Sequence, residues 1–132
     1  MLAKKKIRVL VIDDSASVRQ TMTAILQEDP EIEVIGAASD PFSAARRLQE
    51  EVPDVITLDV EMPRMDGFEF ARNVRADAAT KAIPIIMITS RTADKHRNHA
   101  LEIGVNEYMG KPYQEDQLLA LVKRYTQEAA FA

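Results

Sequence analysis

The chain has 132 residues, of which 46% are hydrophobic and 29% are charged, and its formal net charge is -4. This length favours one domain with a hydrophobic core of its own. The sequence contains no cysteine, which excludes disulfides, thiolate metal sites and cysteine nucleophiles. The acidic balance argues against direct nucleic-acid binding, and no apolar run is long enough to span a membrane. Because the chain does not open on a secretory signal, we expect a cytoplasmic protein.

Short apolar segments alternate with segments of helical spacing along the chain. Residues 9–12, 55–58 and 85–88 are apolar on both faces and rich in β-branched side chains, which is typical of buried parallel strands. Residues 33–37 and 107–109 predict weaker strands, nearer to the edges of the sheet. The resulting order, β-α repeated five times, predicts an open, doubly wound α/β sheet with parallel strands.

Apolar residues with helical spacing predict helices over residues 18–26, 68–74 and 118–125. Asp40-Pro41 predicts the start of another helix, since Asp is a common N-cap and Pro is favoured at the first helical position. The apolar residues expected on the buried face of that helix are Phe42, Ala45 and Leu48.

The helix predicted over residues 92–103 is the least apolar of the five. Its middle, residues 94–99, is polar nearly all round. Its expected anchors are Ala100, Leu101 and Ile103. His96 and His99 have a spacing that can ligate a metal, but without a third ligand nearby a solvated pair is the better interpretation.

Charged and hydroxyl-bearing residues come directly after four of the predicted strands. In an open α/β sheet, ligands bind beyond the carboxyl ends of the strands. The residues found there are Asp13 and Asp14 after the first strand, Asp59 after the third, Thr89 and Ser90 after the fourth, and Lys111 with Pro112 after the fifth. Asp13, Asp14 and Ser15 could serve only to cap the first helix. Capping does not explain the residues after the other strands.

This set of side chains favours phosphoryl transfer. Crowded carboxylates take up either a proton or a cation, and oxygen ligands without Cys or a well-placed His suit Mg²⁺ better than Zn²⁺. Mg²⁺ commonly bridges carboxylates to phosphate oxygens, which a nearby Lys and a hydroxyl group also stabilise. A carboxylate can itself be the nucleophile, and the product is then an aspartyl phosphate.

The combination of Asp13-Asp14, Asp59 within the segment 58–67, Thr89 and Lys111-Pro112 resembles the receiver domains of two-component response regulators. The resemblance covers residues 7–125. It implies a flavodoxin-like (βα)5 fold with strand order 2-1-3-4-5, and a single receiver domain over residues 1–132 without an output domain.

The resemblance also implies roles for the site residues. Asp59 would be the phosphoacceptor. Asp14, Asp59 and the backbone carbonyl of Glu61 would bind Mg²⁺, with Asp13 helping through water or a hydrogen bond. Lys111 would pair first with the acceptor carboxylate and then with the phosphoryl group.

A switch is implied as well. Thr89 would hydrogen-bond the phosphoryl oxygen, and its movement would draw Tyr108 inward and change a partner-binding surface around residues 92–125. The Lys111-Pro112 peptide bond is expected to be cis, and Gly67 is expected to open the helix after the acidic loop.

The implied phosphoryl donor is a sensor histidine kinase of the chemotaxis type, and the chain is not expected to be an enzyme beyond its own phosphorylation and dephosphorylation. The half through Gly67 resembles receivers of chemotaxis methylesterases, and the half from Phe68 resembles receivers of hybrid chemotaxis kinases. A natural single-domain regulator, an excised receiver and an engineered hybrid all fit.

Three other functions compete with this interpretation. A haloacid-dehalogenase-type phosphatase needs Asp-x-Asp, where this chain has Asp59-Val60-Glu61. A flavodoxin needs a Ser/Thr/Gly-rich phosphate loop after the first strand, and none is present. A phosphorylation-independent interaction module with the same fold stays open.

Overall fold

The computed structural model describes residues 6–62 and 66–131, and side chains from residue 126 onward lie outside the description. The strands are β1 (Ile7–Ile12), β2 (Ile32–Ala38), β3 (Val55–Leu58), β4 (Ile85–Thr89) and β5 (Glu107–Gly110). The helices are α1 (Ala16–Gln27), α2 (Pro41–Glu50), α3 (Gly67–Ala76), α4 (Asp94–Ile103) and α5 (Glu115–Phe131). Pro63, Arg64 and Met65, within the acidic motif, lie outside the described residues. No helix in the described part of the chain could cross a membrane.

The five strands form one parallel sheet in the order β2-β1-β3-β4-β5, as the resemblance to receiver domains implies. Every residue of β3 and β4 is buried, which agrees with their largely apolar, β-branched sequences. The two weaker strands, β2 and β5, are the edges. Because each strand points alternate side chains to opposite faces, the sheet separates two apolar clusters.

Helices cover both faces of the sheet. On one face, Leu26 of α1 and Leu118 of α5 pack with Val11 of β1. On the other face, Leu48 of α2 and Phe70 of α3 belong to the second cluster. This three-layer arrangement leaves the carboxyl ends of the central strands uncovered at one edge.

The buried face of α2 differs from the expected one. Asp40 is the N-cap and Pro41 is the first helical residue, as predicted. The buried positions are Pro41, Ala44 and Leu48, whereas Phe42 is 49% exposed. The expectation that Phe42 and Ala45 face the core is wrong, because the inward face carries Pro41 and Ala44 instead, while Leu48 is buried as predicted.

Helix α4 is held by few side chains. Its N-cap, Ala93, makes no side-chain hydrogen bond, and Ala100 is its buried residue. Leu101 is 47% exposed, so its expected role as an anchor is wrong. One position along a helix is a turn of about 100°, which moves Leu101 away from the face that Ala100 buries.

The inner side of α4 also carries two half-buried histidines. The ring centroids of Phe68 and His99 are 4.8 Å apart, those of Phe68 and His96 are 6.3 Å apart, and an Arg72 nitrogen lies 3.0 Å from Nε2 of His99. The interpretation of His96 and His99 as a fully solvated pair is therefore incomplete, since both pack on α3.

Candidate functional site

Three carboxylates meet at the carboxyl edge of the sheet. Asp13 and Asp14 follow β1, and Asp59 follows β3, which pairs with β1 in the sheet. Carboxylate oxygens of all three residues lie within 4.8 Å of one another. Asp13 and Asp59 are buried, while Asp14 is exposed. The cluster therefore opens to solvent on the Asp14 side, where a small cation has access.

Helix capping and the acidic cluster share the loop between β1 and α1. Ser15 is the N-cap of α1 and its hydroxyl accepts a hydrogen bond from the Val18 N–H at 3.4 Å. Oδ1 of Asp13 accepts a hydrogen bond from the Ser15 N–H at 2.9 Å, which fixes the conformation of this loop. Arg19 donates to the Asp13 carbonyl at 2.8 Å. Arg19 has no signal in the sequence, because a donor to a backbone carbonyl leaves no signature in the residue type of its partner.

Lys111 supplies a positive charge to the same cluster. Its Nζ lies 3.1 Å from Oδ2 of Asp13 and 3.7 Å from Oδ1 of Asp59. Its backbone N–H donates to the Thr89 carbonyl at 2.9 Å, and the Lys111-Pro112 bond is cis, as expected. Burial lowers the pKa of Lys111, but the hydrogen bond to Asp13 and the charges of Asp59, Asp13 and Asp14 outweigh it, so the net shift is upward. The ammonium is therefore charged at neutral pH.

Asp59 has the most perturbed carboxylate of the cluster. Burial, followed by the charge of Asp13, raises the pKa of Asp59 from 3.8 to about 6. Lys111 and a hydrogen bond from the Glu61 backbone N–H lower this pKa, and they offset the increase only in part. The cluster is thus short of positive charge and favours uptake of a proton or a cation.

Gly67 is the first residue of α3 and lies directly against the backbone of Asp59. A Cβ at position 67 would lie 2.4 Å from the Asp59 carbonyl oxygen and 2.8 Å from Cα of Val60. The Gly67 N–H donates to the Val60 carbonyl at 2.8 Å, and Asp66 caps the helix through the Glu69 N–H. The expected helix start at Gly67 is confirmed, and the close approach of the two backbones explains why this position is a glycine.

Thr89 and Tyr108 are joined through Arg91. Thr89 is fully buried, and its hydroxyl accepts the Arg91 N–H at 3.1 Å. The Tyr108 hydroxyl donates to the Arg91 carbonyl, and Tyr108 is 3% exposed. Burial raises the pKa of Tyr108. Nε of Arg91 also lies 3.2 Å from Oε1 of Glu61.

The parallel α/β sheet and the acidic cluster facing a lysine define a class of signalling domain that accepts phosphoryl groups on aspartate. Residues 9–123 match the model of the response regulator receiver domain. The chain belongs to this family, and it is a phosphoacceptor signalling domain of the two-component type.

Relatives and solved structures agree on this family. Protein-glutamate methylesterase/protein-glutamine glutaminase 2 of Rhodospirillum rubrum is 57% identical over 110 residues, which are 82% of this chain and 30% of that protein. The group 3 operon protein of the same name from Rhodopseudomonas palustris is 56% identical over 113 residues, which are 84% of this chain and 30% of that protein. The chain therefore spans about 30% of the length of these curated relatives.

Two solved structures carry the same fold. The response regulator domain of Thermotoga maritima CheB has a TM-score of 0.83 at 31% identity, covering 93% of this chain and 98% of that one. Chemotaxis response regulator CheY4 of Vibrio cholerae has a TM-score of 0.82 at 36% identity, covering 92% and 99%. The alignment with the Rhodospirillum rubrum methylesterase covers 110 residues, so the similarity to methylesterases extends beyond the half through Gly67, where it is expected. The separate likeness of the second half to hybrid-kinase receivers stays a prediction.

Proposed function

We propose that this chain takes a phosphoryl group from a chemotaxis-type sensor histidine kinase onto Asp59, and that phosphorylation changes a partner-binding surface around residues 92–125. The observation that carries the proposal is the meeting of the Asp13, Asp14 and Asp59 carboxylates within 4.8 Å, with Nζ of Lys111 at 3.1 Å from Asp13 and 3.7 Å from Asp59. The site of action in this proposal is the cytoplasm, and the part of the chain that acts is the receiver domain matched over residues 9–123.

In this proposal, an oxygen of the Asp59 carboxylate attacks the phosphorus of a phosphohistidine. An oxygen–phosphorus bond forms at Asp59 while the phosphorus–nitrogen bond of the donor breaks, and the histidine ring leaves with the electron pair. Lys111 already lies beside Asp59, so its ammonium group would pair with the phosphoryl oxygens once they carry the negative charge. The Thr89 hydroxyl would donate a hydrogen bond to one of these oxygens.

The donor set suits Mg²⁺. Asp14 and Asp59 would hold the ion directly together with the carbonyl of Glu61, and Asp13 would act through water. When bound, Mg²⁺ supplies the positive charge that the cluster lacks and neutralises the incoming phosphoryl oxygens. The raised pKa of Asp59, about 6, supports this assignment because burial and neighbouring carboxylates leave its charge poorly compensated.

The output surface contains a cavity of about 600 Å³ formed by α4, β5 and α5. Its lining includes Arg97, Tyr108, Leu121 and Arg124. The guanidinium carbon of Arg97 lies 5.8 Å from the centre of the Tyr108 ring, so a movement of Tyr108 would change the lining of this cavity. We assign no separate enzymatic activity to the chain, since it corresponds to only 30% of its methylesterase relatives.

Intact-mass spectrometry after incubation with acetyl phosphate tests this proposal. We expect one added phosphoryl group that requires Mg²⁺ and is lost in Asp59→Asn. The matched control is Asp54→Asn, which changes an aspartate at the opposite end of β3, where Oδ2 accepts the Arg8 N–H at 2.8 Å. A beryllofluoride binding assay detects a competent site even if the phosphoryl group is short-lived. Absence of both the adduct and beryllofluoride binding in a folded, Mg²⁺-loaded protein would contradict the proposal.

A further inference from the structure

Arg91 makes three contacts that join separate parts of the site. Its backbone N–H donates to Oγ1 of Thr89 at 3.1 Å, and its carbonyl accepts the Tyr108 hydroxyl. Its Nε lies 3.2 Å from Oε1 of Glu61. The Glu61 backbone N–H is in turn hydrogen-bonded to the Asp59 carboxylate. A series of contacts therefore runs from Asp59 to Tyr108 through the two charged side chains of Glu61 and Arg91.

The backbone that presents the Arg91 carbonyl leads into a helix whose N-terminal end has no side-chain cap. Helix α4 begins three residues later, at Asp94, with no side-chain cap from Ala93, and Ala100 is its buried residue. The ion pair with Glu61 ties this backbone to the loop that follows β3. The Tyr108 hydroxyl depends on the position of this same carbonyl, because it has to find an acceptor when the ring is buried.

We propose that Glu61 and Arg91 are positioning residues for Tyr108, and that their ion pair holds the Arg91 carbonyl where the buried Tyr108 hydroxyl reaches it. The output surface then responds to the side chain two residues after Asp59 even without phosphorylation. This inference deepens the regulation of the proposed function and rests on it for its meaning in signalling. The contact itself is testable in the metal-free, unphosphorylated protein.

The size of the effect follows from the exposure of the pair. The side chains of Arg91 and Glu61 are 42% and 53% exposed, so water and salt weaken their attraction. Exposed ion pairs change an equilibrium by up to about fivefold. We therefore expect the ratio of buried to exposed Tyr108 to fall by up to about fivefold when the pair is broken, and the effect to shrink as salt is added.

Carbon-13 NMR of ring-labelled tyrosine measures this ratio, because the chain has only three tyrosines and Tyr108→Phe assigns the relevant signal. Glu61→Gln and Arg91→Gln should each move the Tyr108 signal toward that of an exposed tyrosine. The exchanged pair, Glu61→Arg with Arg91→Glu, should move it back. The matched control is Glu51→Gln, which breaks the exposed ion pair with Arg8 (3.1 Å, 48% and 41% exposed) and should leave the signal in place.

An unchanged Tyr108 signal in both single variants would overturn the inference. So would a change that the exchanged pair does not reverse, or one that persists undiminished in 0.5 M salt, since either would mark a steric rather than an electrostatic cause. Phosphorylation of Asp59 is measured separately with acetyl phosphate. A receiver that is phosphorylated normally while Tyr108 ignores Glu61 would overturn this inference alone and leave the proposed function standing.

Discussion

The glycine at the start of α3 sets the distance between that helix and the acidic cluster. Substitution Gly67→Ala would place a Cβ 2.4 Å from the Asp59 carbonyl oxygen, so the backbone of one element has to move. We expect Gly67→Ala to lower the free energy of unfolding by about 1–3 kcal/mol, the usual cost of overpacking, and to weaken Mg²⁺ binding by displacing Asp59. Chemical denaturation and Mg²⁺ titration measure both effects.

Gly36→Ala is the matched control. The nearest atoms to a Cβ at position 36 belong to the flexible end of Arg47, at 3.2 Å and beyond, so a small side-chain movement accommodates it. The control should cost less than about 0.5 kcal/mol, because Ala also loses less backbone entropy on folding than Gly. Equal losses of stability at positions 36 and 67 would show that the close approach to Asp59 is not the cause.

At the scale of the elements, Arg75 joins the C-terminal end of α3 by hydrogen bonds to the loop before β4 and to the loop before β5. Its half-buried guanidinium donates to the carbonyls of Ile83 and Gly104 at 2.7 and 3.0 Å, and to Oδ1 of Asn106 at 2.8 Å. Burial lowers the pKa of Arg75. Because Gly104 is the C-cap of α4, this cluster of hydrogen bonds fixes the C-terminal end of a helix whose N-terminal end is uncapped.

Substitution Arg75→Met should therefore be costly. It preserves much of the apolar stem but removes every donor, and several carbonyls are left without their partner. We expect a loss of about 2–4 kcal/mol in the free energy of unfolding. Arg72→Met, one turn earlier on the exposed side of α3, removes a single hydrogen bond to His99 and should cost less than about 1 kcal/mol. Similar losses in the two variants, measured by denaturant unfolding, would refute the role assigned to Arg75.

The elements also show which features a sequence can predict. The core strand β3, Val55–Leu58, has the predicted bounds because both of its faces are buried and every residue is apolar or β-branched. The meeting of Asp13, Asp59 and Lys111 follows from topology, since parallel strands that end in polar residues bring them to one edge. The inward positions of α2 and α4 are harder to predict, because they depend on neighbours that the local pattern does not contain.

Other features have no local signal in the sequence at all. Arg19 and Arg75 donate to backbone carbonyls, which every residue type offers, so their partners cannot be identified from composition or spacing. The contact between Glu61 and Arg91 joins two loops 30 residues apart. Its formation depends on the spacing of β3 and β4 and on the rotamers of two exposed side chains.

At the scale of the whole molecule, the carboxylates at the carboxyl edge of the sheet repel one another, and a bound cation would reduce this repulsion. The raised pKa of Asp59, about 6 against 3.8, means that the folded protein binds more protons than the unfolded chain between these two values. Where the folded state binds more protons, stability falls as pH rises. In metal-free protein the contribution of Asp59 should therefore decline from about pH 4 to about pH 6 and stay low above it, by at most about 3 kcal/mol.

Thermal or denaturant unfolding of metal-free protein at pH 5.0 and 7.5, with and without Mg²⁺, checks this dependence. Asp59→Asn should be more stable than the parent at pH 7.5, by about 1–3 kcal/mol, and the difference should shrink toward pH 4 as Asp59 becomes protonated. Saturating Mg²⁺ should stabilise the parent at pH 7.5 through preferential binding to the folded state, and stabilise Asp59→Asn less. Glu33→Gln, which removes an exposed carboxylate from β2, controls for the change in net charge. If Asp59→Asn follows the same pH profile as the parent and Glu33→Gln, the repulsion at this edge does not limit the stability of the domain.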